Sequence, residues 1–318
     1  MFTKRQIESA FSRIKCEAVP LWKTGKVASY IPQLAKVEAY NFGLSIATAH
    51  GQRYELGDSR VPFSIQSISK LFALTLLLRV AGEEAWALIG RGSTHFSFNS
   101  LAWLESQNGK PFNPFVNAGA LAVTDALMER MAHALFGLLR FVRDIGNNQD
   151  IDIDSAVSES ERANCNKNAA IAHLLRDYGT VKGDVNALLD VYCQQCAIAM
   201  TTTDLATAGL IFANDGRDHL GRRLLESTTT NRINALLSVA GMYESAGDFA
   251  FRVGLPAKSG VGGGILAIAP GKMSIAVWSP PLDQQGSSLA GQRALEILSE
   301  EFGLSIFAPH FKQKGPAQ

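Results

Sequence analysis

Two places in this sequence carry residue types and spacings suited to acyl transfer. Ser67 and Lys70 stand at the head of an apolar run, 67–78 (SISKLFALTLLL). On a helix that spacing puts both on one face, so the amine reaches the hydroxyl. A lysine serves as a base only in its neutral form, and burial beside an apolar helix favours that form. A hydroxyl in the first turn also meets the positive end of the helix dipole, which steadies an anion forming there. Far downstream, Lys258-Ser259-Gly260 precedes a predicted pair of strands. A strand edge there would lay a backbone N–H beside the nucleophile, and its small residues would let a substrate come close.

Each motif has a decoy. A chain of this length holds roughly one Ser-x-x-Lys by chance, and Ser12 with Lys15 is such a match, in a polar-faced amphipathic segment. Lys23-Thr24-Gly25 resembles the downstream triplet but comes before the serine and begins no strand, so it reads as a surface turn. Taken together, Ser-x-x-Lys and a later Lys-Ser-Gly resemble the signature pair of β-lactamases and penicillin-binding proteins. Their third piece, Ser-Asp-Asn, is missing, and Ser97-Phe98-Asn99 is only a loose echo. That weakens the reading as a penicillin-recognising serine hydrolase, which is kept as an alternative beside a non-catalytic amino-acid-binding module.

The elements that must position these residues follow from periodicity. Apolar residues at helical spacing predict a helix over 3–22, and extended stretches at 41–50 and 52–56 predict a hairpin turning at His50-Gly51. Helices are predicted over 67–80, 117–132, 163–178, 185–200, 203–214 and 225–239. Strands at 264–269 and 273–278 flank the turn Pro270-Gly271-Lys272, and a helix over 288–302 follows. The expected fold is α+β, with one antiparallel sheet built from both chain ends, terminal helices on one face and a helical insert on the other. The expected organisation is one domain, with an α/β subdomain of 1–66 and 241–318 and a helical subdomain of 67–240.

Longer strings resemble the serine-dependent glutaminases, which share the β-lactamase-like fold. They are 30–35 (YIPQLA), 62–70 (PFSIQSISK), 113–120 (NPFVNAGA), 241–243 (GMY), 247–264 (GDFAFRVGLPAKSGVGGG) and 278–283 (WSPPLD). The resemblance implies hydrolysis of the L-glutamine side-chain amide to L-glutamate and ammonia. Ser67 would attack, Lys70 would be the base and Tyr243 would help move the proton. It further implies a substrate site of Tyr30, Ser67, Asn117, Glu161, Asn168, Tyr192, Tyr243 and Val261, with the N–H groups of Ser67 and Val261 as oxyanion hole. A carboxylate such as Glu161 suits the substrate ammonium, while Asn and Tyr side chains can donate to its carboxylate. A homo-oligomer, dimer or tetramer, is also implied. Lys167 departs from the pattern, standing where the family usually has an arginine.

Without the resemblance, Asn117 reads as a helix N-cap and Tyr192 as a half-buried packing residue with a wet hydroxyl. Residues 158–168 (SESERANCNKN) read as an exposed loop entering a helix, with Glu161 and Asn168 two helical turns apart.

Composition removes other classes of function. The 318 residues carry a net charge of +1, which draws the chain to neither nucleic acid nor anionic membrane. The longest apolar run is too short to span a bilayer, and the N-terminal residues do not read as a signal peptide. Four scattered cysteines fit a reducing compartment, so a cytoplasmic protein is expected. Cys193-x-x-Cys196 falls inside a predicted helix with no second pair, so neither redox nor zinc chemistry is expected. Residues 260–264 (GVGGG) match no nucleotide-binding fingerprint, and no cofactor is expected.

Overall fold

Thr3 and Gln6 cap each other's backbone at the start of the first helix, α1 (Lys4–Glu17), which buries Ile7, Ala10 and Ile14. The computed structural model describes residues 3–93 and 98–308. The helix ends short of the expected residue 22. Pro20 cannot donate into an α-helical ladder, and the chain turns through a 3₁₀ segment at Val19–Lys23 instead.

The hairpin forms as β1 (Gly43–Thr48) and β2 (Arg53–Gly57), paired antiparallel with Leu44 opposite Leu56. After β3 (Phe63–Ser64) and a 3₁₀ turn at Gln66–Ile68 comes α2 (Ser69–Ala81), buried from Ser69 to Leu78. The middle of the chain supplies α3 (Leu101–Ser106), α4 (Asn117–Arg130), α5 (Ala134–Gly146), β4 (Asp152–Ile153), α6 (Ser155–Ala163), α7 (Asn166–Asp177), α8 (Val185–Cys196), β5 (Ile198–Met200), α9 (Thr202–Ala213) and α10 (Ser227–Ala240). The last part adds α11 (Ala246–Arg252), β6 (Ala257–Ser259), β7 (Gly264–Ala269), β8 (Met273–Trp278) and α12 (Leu289–Phe302).

One sheet runs in the order β2-β1-β8-β7-β6, antiparallel throughout. Its central ladder joins the two chain ends, with Leu44 opposite Val277 and Ile46 opposite Ile275. Successive residues of β7 alternate between two apolar layers. Ile265, Ala267 and Ala269 pack with Ile14 of α1, Phe249 of α11 and Leu295 of α12. Leu266 and Ile268 pack with Phe72 of α2 and Phe212 of α9. Burial on both faces explains why β7 and β8 read as continuous apolar runs. The mixed α+β fold and its sheet from both ends are as expected.

The middle is less purely helical than expected. A second, three-stranded sheet of order β3-β5-β4 lies within it. Its strands have two or three residues each, too short for alternation to register. The helix expected to reach Met200 therefore ends at Cys196, and Ile198–Met200 becomes β5. Helices α3, α5, α6 and α11 were not anticipated. The polar stretch expected as an exposed loop is α6, opened by Asp154, whose carboxylate accepts from Val157 N–H. Ser97, in the loose Ser-x-Asn echo, lies outside the described residues.

Candidate active site

Ser67 sits in the 3₁₀ turn just before α2, not in the helix's first turn as expected. Gln66 makes that turn by adopting a left-handed backbone with φ of 48°, a conformation uncommon outside glycine and concentrated at functional sites. Its side-chain amide donates to Ser64 Oγ at 2.9 Å and to Glu161 Oε2 at 3.3 Å. The turn leaves Ser67 half-exposed while Lys70, one helical step on, is buried.

The Lys70 amine meets three oxygens. It donates to Phe115 O at 3.1 Å, to Asn117 Oδ1 at 2.6 Å and to the Tyr243 hydroxyl at 3.3 Å. The Asn113 side chain builds the first of these contacts, accepting from Phe115 N and Val116 N and so bending the chain ahead of α4. Asn117 is thus not the expected N-cap. Val116 holds that position, and the amide of Asn117 is drawn to Lys70 and donates to Asn168 Oδ1 at 2.8 Å. The bond orients both amides, so Asn168 keeps its NH₂ group for another partner.

Tyr243 also has a left-handed backbone, with φ of 54°. Its hydroxyl is hydrogen-bonded to Ser67 as well as to Lys70, and so links the two. Burial alone would push the phenol up, but Lys258 and then Lys70 bring it down to about 8. Glu161 is buried, and burial pushes it up to about 7 against the hydrogen bonds from Gln66 and Cys196 and the charge of Lys70. Tyr192 is buried outright, contrary to the expected wet hydroxyl.

Gly260, at the end of the edge strand β6, explains the closeness of the two motifs. A Cβ on it would lie 2.5 Å from Ile65 O and 3.4 Å from Ser67 N. Only glycine lets β6 approach the serine turn this closely.

Tyr30, Ser67, Asn117, Glu161, Asn168, Tyr192, Tyr243 and Val261, the whole expected binding set, line one cavity of about 330 Å³. That lies at the small end of small-molecule pockets, roughly 300–1,000 Å³. Glu161 and Asn168 reach it from different helices, α6 and α7, rather than from two turns of one. Tyr30 stands at the mouth with 59% of its surface exposed. Sequence reasoning missed Gln66, Phe98, Asn99 and Cys196, which also line the cavity. The string 62–70 contains Gln66, but nothing in its letters signals a left-handed turn. The four cysteines are free. Among the described residues, no group of three or more His, Cys, Asp and Glu side chains is arranged to hold a metal ion, and no helix is long and apolar enough to cross a membrane.

A glutaminase family model matches residues 25–307. A glutaminase from Psychrobacter cryohalolentis is 50% identical over 289 residues, covering 89% of this chain and 94% of that protein. One from Paraburkholderia phytofirmans is 46% identical over 300 residues, with 94% and 99% covered. Among solved structures, a probable glutaminase from Bacillus subtilis in complex with 6-diazo-5-oxo-L-norleucine superposes with a TM-score of 0.86 at 30% identity, covering 96% of this chain and 99% of that one. Glutaminase structures share the β-lactamase-like architecture expected here. With the match running through the serine turn, the edge strand and nearly every residue between them, this chain belongs to the glutaminase family and is an amidohydrolase.

Proposed function

We propose that the enzyme hydrolyses L-glutamine to L-glutamate and ammonia through an acyl-enzyme on Ser67. The observation that carries this is the hydrogen-bonded run from Ser67 through Tyr243, which both line the small cavity, to Lys70 buried behind them. A neutral lysine has two N–H groups and one lone pair. Phe115 O and Asn117 Oδ1 take the two N–H groups, leaving the lone pair toward the Tyr243 hydroxyl. Once protonated, the ammonium finds three acceptors already in place.

Ser67 Oγ attacks the side-chain carbonyl carbon, and its proton passes through Tyr243 to Lys70. The N–H groups of Ser67 and Val261 hold the developing oxyanion. The C–N bond breaks as nitrogen takes the proton back and leaves as ammonia. Water then attacks the ester, gives its proton to the same relay, and glutamate departs as Ser67 Oγ is reprotonated. Glu161 pairs with the substrate ammonium, and the free NH₂ group of Asn168 donates to substrate oxygen, with Tyr30 and Tyr192 completing the site. The ligand of the similar Bacillus subtilis protein supports this reading. Its name describes an α-amino acid with a ketone on carbon 5, where glutamine has its amide carbonyl.

The four free cysteines support a cytoplasmic enzyme, and the resemblance supports a homo-oligomer of two or four chains. The test is Ser67→Ala. Ammonia release should fall by about 10³-fold or more while calorimetry still detects bound glutamine. Near-normal release would sink the assignment.

A further inference from the structure

Lys258 is wholly buried and does not line the cavity, yet its amine is tied to the groups that do. Nζ donates to Gly241 O at 3.1 Å and to Ser259 O at 2.7 Å. It also lies 4.1 Å from the centre of the Tyr243 ring and 5.8 Å from that of Phe115. One carbonyl belongs to the edge strand that carries Lys258. The other lies two residues before Tyr243, at the entry to its left-handed turn. The amine therefore spans the gap between the strand end and the tyrosine, with its charge against the ring, where a cation is attracted.

We propose that Lys258 is a positioning residue of the reaction, clamping the Tyr243 turn against Ser67 and placing a positive charge over the phenol so that it can release a proton. This rests on the proton relay proposed above. The groups around Tyr243 are Ser67 from the 3₁₀ turn, Lys70 from α2 and Lys258 from β6, with Glu161 of α6 and Tyr192 and Cys196 of α8 further round the cavity. Two of them are cations and both lie over the ring, Lys258 at 4.1 Å from its centre and Lys70 at 5.6 Å, so Lys258 is the nearer charge. Burial holds Lys258 itself down to about 8, so its charge is present below that pH and fades above it.

The sign follows directly. Without the cation, the relay loses its proton less readily, and the acid limb of the kcat profile moves to higher pH. Reading kcat at saturating glutamine keeps Glu161 paired and out of the profile. Lys258→Gln retains a donor for the two carbonyls but no charge. It should move the acid limb up by about one pH unit or more and lower kcat at pH 7 by about tenfold or more. In a Tyr243→Phe background the same change should cost less than about twofold. A fall in kcat with the limb unmoved, or a full further loss in the Tyr243→Phe background, would overturn the assignment to Lys258. If Tyr243→Phe alone has near-normal kcat, it is the relay that fails. Should the glutamine variant not fold, the unaltered enzyme decides. Tyrosinate absorbance, blanked against Tyr243→Phe, should rise near pH 8, and a rise only at about 10 or above, the ordinary phenol value, would refute the inference.

Discussion

Glu161 works against the stability of the protein that carries it. Its ordinary value is 4.5, and burial raises that to about 7 in the folded chain. A carboxyl raised on folding lends stability that is whole below about 4.5 and is lost as pH rises through 7, because above that the fold must hold a buried charge. In the proposed mechanism the substrate ammonium relieves this charge, which turns a structural liability into affinity. Glu161→Gln should therefore melt higher than the parent at pH 8, by about 1 to 3 kcal/mol of stability, and little differently at pH 5. The same change should lower kcat/KM for glutamine by about 100-fold or more and remove an acid limb near pH 7. Calorimetric melts at the two pH values and steady-state kinetics check both. At this scale Ser67 and Lys70 were legible, because their chemistry is written in residue type and spacing. Asn117 was misread as a cap, since a buried amine competes for its amide with the helix end. Gln66 was invisible, because a left-handed non-glycine residue leaves no mark in composition.

Between elements, the approach that bears on the site is that of β6 to the turn before α2. Gly260→Ala puts a methyl group within 2.5 Å of Ile65 O, and the strand end must retreat from the serine. We expect a loss of about 1 to 3 kcal/mol in stability and a drop in kcat larger than any rise in KM, since an oxyanion donor acts most in the transition state. A melt combined with initial rates would show it, and unchanged kcat would remove Val261 from the oxyanion hole. Long apolar elements such as α2, α9, β7 and β8 could be read from the sequence, because each is a largely apolar run buried on nearly all sides. The three-stranded sheet could not, since its strands are fixed by tertiary partners rather than by pattern. Nor could the break that divides 155–177 into α6 and α7, which aims Glu161 and Asn168 at one cavity from two directions.

For the whole molecule, we propose that the α/β part, 1–66 and 241–318, and the helical part, 67–240, form one interleaved unit. Deleting 1–57 would strip α1, β1 and β2, expose the edge of β8 and leave the apolar face of α12 uncovered. That variant should lack a cooperative melt and release no ammonia. A folded, active truncation would contradict the interleaving. Near-neutral charge fits the same picture, since a small zwitterion is captured by a few placed groups and needs no long-range field. The ladder that joins Gly43 to Trp278 has a consequence in time. A ribosome delivers Ser67 and Lys70 long before the turn that carries Val261. In the proposed mechanism a nascent chain that has reached α10 holds Ser67 and Lys70 but lacks Tyr243, and is unable to act. The first molecule of ammonia can appear only once β8 has been made and has found β1.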